Sequence, residues 1–283
     1  MSNLRFVQGV RVMNWGMKNR LSQIMGRHDD GRCVMLAVDH GYFLGPTEGL
    51  ETPREVISPL LPFADSIMLT RGILRTSVRP ESCVPVVLRV SGGSSIIGED
   101  LSKEAVIASI EDAIRLNASC LAVSVFIGSK YEHQTLTNLA RLVDEGEMYG
   151  IPILAVTAVG REMARDSRYL GLSCRIAAEF GAHIVKTYYC NDFDTVVRSC
   201  PVPLVIAGGR KLDEKDALKL AHDAISSGAS GVDMGRNIWQ SKTPVSMIKA
   251  VRSIVHEGLD VEGAYSTFIH QPTNAKVTTK LQK

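Results

Sequence analysis

The stretch Cys33-Val34-Met35-Leu36-Ala37-Val38-Asp39-His40-Gly41 separates two possible folds. Six apolar residues in a row suit a parallel strand buried on both faces, and the run ends on a charged residue, a histidine and a glycine. A doubly wound nucleotide-binding sheet would carry G-x-G-x-x-G at this turn, where Asp39-His40-Gly41 stands instead. Seven similar runs follow: Ser66–Leu69, Val86–Val90, Cys120–Phe126, Ile153–Val156, His183–Lys186, Leu204–Ala207 and Gly231–Met234. Their mean spacing is about 28 residues, close to the roughly 30 needed for a strand, a crossover helix and two short loops. Eight such units predict an α/β chain folded as one (β/α)8 TIM barrel.

Helical periodicity fills the gaps between runs. Ser102–Leu116 sets Val106, Ile110, Ala113 and Ile114 on one stripe behind a Ser102 cap. Leu136, Leu139, Ala140 and Val143 make a second stripe, and Leu172, Ile176 and Phe180 a third. Asp213–Ser226 and the series Val245, Ile248, Val251 and Val255 complete the set. Residues 1–31 form an N-terminal extension with an amphipathic segment at Trp15–Met25, residues 32–271 the barrel domain, and residues 272–283 a tail expected to fray.

Composition narrows the function classes. With 45% apolar and 22% charged residues the chain is not of the disordered type, and its 283 residues suffice for one barrel. Thirty-two basic against 30 acidic side chains leave a formal charge of +2, which supplies no electrostatic footprint for nucleic acid or an acidic membrane. The longest stretch free of Asp, Glu, Lys and Arg is Leu116–Ser129, 14 residues, against the roughly 20 of a spanning helix. Met1–Val10 holds no apolar block of signal-peptide length, and the six scattered cysteines fit a reducing cytoplasm.

Barrel enzymes carry their chemistry at the carboxyl ends of the strands. Lys186 stands out there because it interrupts the apolar run His183-Ile184-Val185. Desolvation disfavours an ammonium, so a buried lysine is expected to present an amine able to attack a carbonyl. The alternatives are a lysine that ends the strand and reaches solvent, or one paired with a carboxylate such as Asp39. Asp39 could shuttle protons, or could be an ordinary loop residue bonded to nearby amides. Two glycine turns, Ala207-Gly208-Gly209 and Met234-Gly235-Arg236-Asn237, follow the last two runs. Gly208, Gly209 and Gly235 would let backbone amides approach a phosphate, and Arg236 would add a fork of donors. Either turn alone could simply need glycine conformations. No histidine has a partner at metal-ligand spacing, so no metal is expected, and Cys190 lacks a histidine partner and reads as an inert thiol.

Ala37–Gly41, the run Val185-Lys186-Thr187-Tyr188-Tyr189 and the two glycine turns resemble the archaeal-type class I aldolases, barrel enzymes that use a lysine Schiff base. Asp39-His40-Gly41-Tyr42-Phe43, Thr70-Arg71-Gly72-Ile73-Leu74-Arg75 and Tyr131-Glu132-His133-Gln134 are more similar to the thiolases of that family, which act on phosphorylated autoinducer-2. The resemblance runs from about Trp15 to Ala264. It implies cleavage of 3-hydroxy-5-phosphonooxypentane-2,4-dione with coenzyme A as co-substrate and no bound cofactor, giving acetyl-CoA and dihydroxyacetone phosphate. Lys186 would form the imine, Asp39 would shuttle protons, and His40, Arg71 and Ser91 would line the pocket. A cytoplasmic homo-oligomer, a decamer in that family, is implied as well. The aldolases carry a tyrosine just past the fifth strand as proton donor, and Ala155-Val156-Thr157-Ala158-Val159-Gly160 has none. A class I aldolase acting on a sugar phosphate and a non-catalytic sugar-phosphate-binding barrel are the alternative functions.

Overall fold

A computed structural model of the chain describes residues 14–160 and 163–269. The first 13 residues of the extension and the whole of the 272–283 tail lie outside the described residues. Eight strands close a parallel barrel: β1 (Cys33–Ala37), β2 (Ser66–Thr70), β3 (Val86–Arg89), β4 (Cys120–Ile127), β5 (Ile153–Val159), β6 (Ile184–Thr187), β7 (Leu204–Ala207) and β8 (Gly231–Met234). Each strand pairs with its neighbours in sequence, and β8 closes on β1 with Cys33 opposite Gly231 and Leu36 opposite Met234. The expected TIM barrel is the observed one.

Alternation along each strand sorts two cores. Val34, Leu36, Val185, Val232 and Met234 pack outward against the helices, while Met35, Met68, Val87, Ala122, Leu154, Ile184 and Val205 fill the interior. The helix α1 (Trp15–Met25) joins that interior through Met17, Leu21, Ile24 and Met25, and Arg20 reaches the carbonyl of Gly150 just ahead of β5. The helix α1 thus closes the amino end of the barrel and leaves the carboxyl end open. A short antiparallel pair, Ser91–Gly92 with Ala105–Val106, shapes the excursion after β3. Among the described residues no helix is long and apolar enough to cross a membrane.

Two helix expectations need correction. The helix read as Ser102–Leu116 is Ile110–Arg115, capped by Ser109 and not by Ser102. Val106 belongs to the antiparallel pair, because the chain at 102–106 turns Glu104 inward while its neighbours stay exposed. In the helix Ser167–Glu179 the buried face is Leu170, Ser173, Cys174 and Ala177, whereas Leu172 and Phe180 are 46% and 40% exposed.

Candidate active site

Period two carries the interior residues upward into a polar layer. Beyond Ala37 comes Asp39, beyond Val87 Arg89, beyond Ala122 Ser124 and beyond Ile184 Lys186, all facing inward. Asp233 is inward as well, between the outward Val232 and Met234. These five side chains border a cavity of about 620 Å³ at the carboxyl mouth, together with His40, Tyr42, Glu104, Thr157 and the two glycine turns. Its size suits a small-molecule ligand.

Lys186 and Asp233 make the central contact. Nζ lies 2.8 Å from Oδ2, with the side chains 10% and 0% exposed. The lysine therefore neither reaches solvent nor pairs with Asp39. Burial pushes the Asp233 carboxyl above its ordinary value, with Lys186 opposing that shift.

Asp39 is held differently. Arg89 Nε donates to its Oδ2 at 3.0 Å, Nη2 completes the ion pair with the same oxygen at 2.9 Å, and Arg89 Nη1 donates to Ser124 Oγ at 2.8 Å. Burial alone would raise the Asp39 carboxyl, but the neighbouring Arg89 and Lys186 charges bring it below the ordinary carboxylate value. Next to it, burial holds His40 down to about 4, so its imidazole is neutral at pH 7, set edge-on to Trp239. A second polar chain starts at Ser91, whose Oγ donates to Glu104 Oε2 at 2.6 Å and accepts from the Ser124 amide. The Tyr42 hydroxyl donates to Glu104 Oε1 at 2.8 Å, and the Arg89 guanidinium lies over the Tyr42 ring.

The two glycine turns touch each other. Arg236 Nη2 donates to the Gly209 carbonyl and Asn237 Nδ2 to the Gly208 carbonyl, both at 2.7 Å. Gly209 sits at φ +69°, and a Cβ on Gly235 would fall 2.4 Å from the Ala37 carbonyl oxygen. Arg236 Nε is buried without a hydrogen-bond partner among the described residues, a donor suited to an anion.

Of the nine site residues named from sequence, Lys186, Asp39, His40, Gly208, Gly209, Gly235 and Arg236 border the cavity. Arg71 does not: it turns outward onto Asp112, Nη1 to Oδ2 at 3.1 Å, with its side chain 45% exposed. Ser91 stands behind the wall, positioning Glu104. Sequence reasoning passed over Asp233, Arg89, Ser124 and Glu104, although the two charged strand residues gave the same signal as Lys186. At the opposite end of the barrel His28, Asp65 and His256 bring possible metal-ligand atoms within 4.8 Å of one another. Arg252 already occupies that cluster, donating to Asp65 Oδ1 and contacting His28 Nε2, which makes it a charge network.

A model of the DeoC/LacD family of aldolases matches residues 33–241. A protein of Photorhabdus laumondii named 3-hydroxy-5-phosphonooxypentane-2,4-dione thiolase is 53% identical over 266 residues, covering 94% of this chain and 91% of its own. One of the same name from an Enterobacter strain is 54% identical over 260 residues, covering 92% and 88%. Among solved structures, a Schiff-base-forming fructose-1,6-bisphosphate aldolase superposes with a TM-score of 0.75 at 26% identity, over 84% of this chain and 99% of that one.

Proposed function

The chain belongs to the DeoC/LacD family of aldolases, and from that premise we propose that it is the thiolase that cleaves 3-hydroxy-5-phosphonooxypentane-2,4-dione with coenzyme A. The observation that carries the chemistry is a buried lysine amine in the same cavity as the Gly208-Gly209 and Gly235-Arg236 turns. The name shared by relatives above 50% identity supports the substrate.

In this reading the turns and Arg236 hold the phosphate and bring the nearer ketone to Lys186. The amine adds to that ketone, water leaves, and a protonated imine forms between Asp233 and Asp39. The coenzyme A thiolate adds to the far carbonyl. The resulting alkoxide collapses, the bond between acetyl carbon and hydroxylated carbon breaks, and its electron pair moves into the iminium to give an enamine. Acetyl-CoA departs. Protonation and hydrolysis of the enamine then return Lys186 and release dihydroxyacetone phosphate. Asp39, fixed as an anion by Arg89, serves as electrostatic partner to the cationic imine. The same reading makes the protein a cytoplasmic homo-oligomer within autoinducer-2 breakdown. The exposed Leu172 and Phe180 offer apolar surface for subunit contact.

Two measurements test this together. Borohydride with dihydroxyacetone phosphate should leave a reduced adduct on Lys186, located by peptide mass, and the dione should be consumed only with coenzyme A. Lys186→Ala should abolish both. Substantial turnover by that variant would sink the imine step, and aldehyde release without coenzyme A would make the protein an aldolase instead.

A further inference from the structure

Two buried carboxylates border the reactive amine, and their partners differ. Asp39 is held by Arg89, whose Nε donates to it and whose Nη2 completes the ion pair, and this guanidinium never releases its proton at working pH. Asp233 Oδ2 faces Lys186 Nζ at 2.8 Å, and neither Asp233 oxygen has another hydrogen-bond partner among the described residues. Its side chain is fully buried, and it shares the cavity wall with Lys186, where a carbonyl bound to the amine would also lie. The other charged groups around this contact are Asp39 beyond β1, Arg89 on β3 and Arg236 beyond β8, with the neutral His40 alongside.

We propose that Asp233 is the acid–base catalyst of imine formation: it takes the proton from Lys186 and returns it to the substrate oxygen. The proposal rests on the imine reading above and assigns its proton traffic, which the sequence placed on Asp39. The upward shift of the Asp233 carboxyl by burial and the downward shift of Asp39 agree with this division.

The steps balance. The ammonium gives one proton to the Asp233 carboxylate, leaving an amine and a carboxylic acid. The amine pair forms the N–C bond as the carbonyl π pair moves to oxygen, and Asp233 protonates that oxygen. Asp233 next removes a second proton from nitrogen and delivers it to the hydroxyl. Water leaves as the nitrogen pair closes the C=N bond. One ammonium and one ketone have become one iminium and one water, with Asp233 again an anion beside the new cation.

The test is the rate at which borohydride traps dihydroxyacetone phosphate on Lys186 in the full-length protein, followed by intact mass. Asp233→Asn should slow trapping by about 10²- to 10⁴-fold. Its rate should also climb with pH between about pH 6 and 9, because solvent base then replaces the lost carboxylate, while the wild type stays nearly flat. Binding of inorganic phosphate, read by Trp239 fluorescence, should stay within about threefold, as a merely structural lesion would not allow. Trapping by Asp233→Asn at the wild-type rate, or with the wild-type pH profile, would overturn the proposal while leaving the imine standing. A wild type that traps nothing would overturn the imine itself. Where Asp233→Asn does not bind phosphate, Asp233→Glu decides, since a retained carboxyl must keep the flat profile and a climbing one refutes the assignment.

Discussion

Arg89 reaches from the third strand to the end of the first and sets two nitrogens against a single oxygen of Asp39, Nε donating a hydrogen bond and Nη2 closing the ion pair. Both side chains are almost wholly buried, so neither charge has water to fall back on. Arg89→Met should therefore cost about 3–5 kcal/mol, mainly because it strands the anion. Adding Asp39→Asn should recover much of that loss, since the pair then disappears together. Urea unfolding of both variants measures this, and a loss below about 1 kcal/mol in the single variant would show that the pair does not hold the mouth.

The charge network at the closed end predicts how stability depends on pH. His256 Nε2 faces Asp65 Oδ2 at 2.8 Å and Nδ1 faces Asp30 Oδ2 at 2.7 Å, so the protonated ring donates to both carboxylates. Burial lowers its affinity for protons, but the two carboxylates outweigh burial, and the net shift is upward. A raised histidine stabilises fully below its unfolded value near 6.5 and loses that contribution as pH climbs through the folded value. Asp65 moves the other way: burial raises it, while His256 and Arg252 hold it well below the ordinary carboxylate range. Its contribution is present above about pH 4 and disappears on acidification below that. Unfolding free energy should thus decline on the alkaline side of about pH 6.5, and His256→Gln should flatten that limb. An unchanged limb in the variant would remove His256 from the explanation.

Arg71 and Ser91 separate lining from support. Arg71→Ala breaks a contact with Asp112 away from the cavity, where Arg75 and Arg115 still hold that carboxylate, so kcat/KM should change by less than about threefold. Ser91→Ala leaves Glu104 Oε2 and the Ser124 amide short of a partner inside the wall, at about 1–3 kcal/mol of stability. Its activity should fall more than that of Arg71→Ala, because Glu104 also holds the Tyr42 hydroxyl in the cavity. Steady-state assays of the pair in parallel decide the order.

These contrasts show where sequence reading succeeded. The barrel was legible because β1 to β8 are short apolar runs at regular spacing, a pattern imposed by burial on both strand faces. Lys186 was legible as a charge inside such a run. Asp233 and Arg89 interrupt Gly231–Met234 and Val86–Val90 in the same way, and weighing every charged strand residue alike would have found them. The partners could not be read. Asp39 follows β1 and Arg89 stands on β3, strands that are not neighbours in the sheet, and the two meet because both point inward. The misplaced helix start at Ser102 has a local cause: the stripe continued back to Val106, but Asp100 binds Ser102 and the chain there pairs with Ser91–Gly92.

The two glycine turns differ in why they need glycine, and alanine substitutions should expose the difference. At Gly235 a Cβ would lie 2.4 Å from the Ala37 carbonyl oxygen and 2.6 Å from His40 Cε1. The first of these is backbone in the closing strand of the barrel, so it cannot swing aside. Gly235→Ala must push β8 from β1 or displace His40, at about 1–3 kcal/mol or more, and phosphate binding should weaken at least tenfold as Arg236 moves with the turn. At Gly209 nothing lies within 4 Å of a Cβ, and the only penalty is the left-handed φ of +69°. Gly209→Ala should cost about 1 kcal/mol with phosphate affinity within about threefold. Calorimetric titration with inorganic phosphate and thermal melting of both variants test the ranking. Equal losses at the two positions would mean that conformation alone, and not the close approach of β1 to β8, dictates glycine in the cradle.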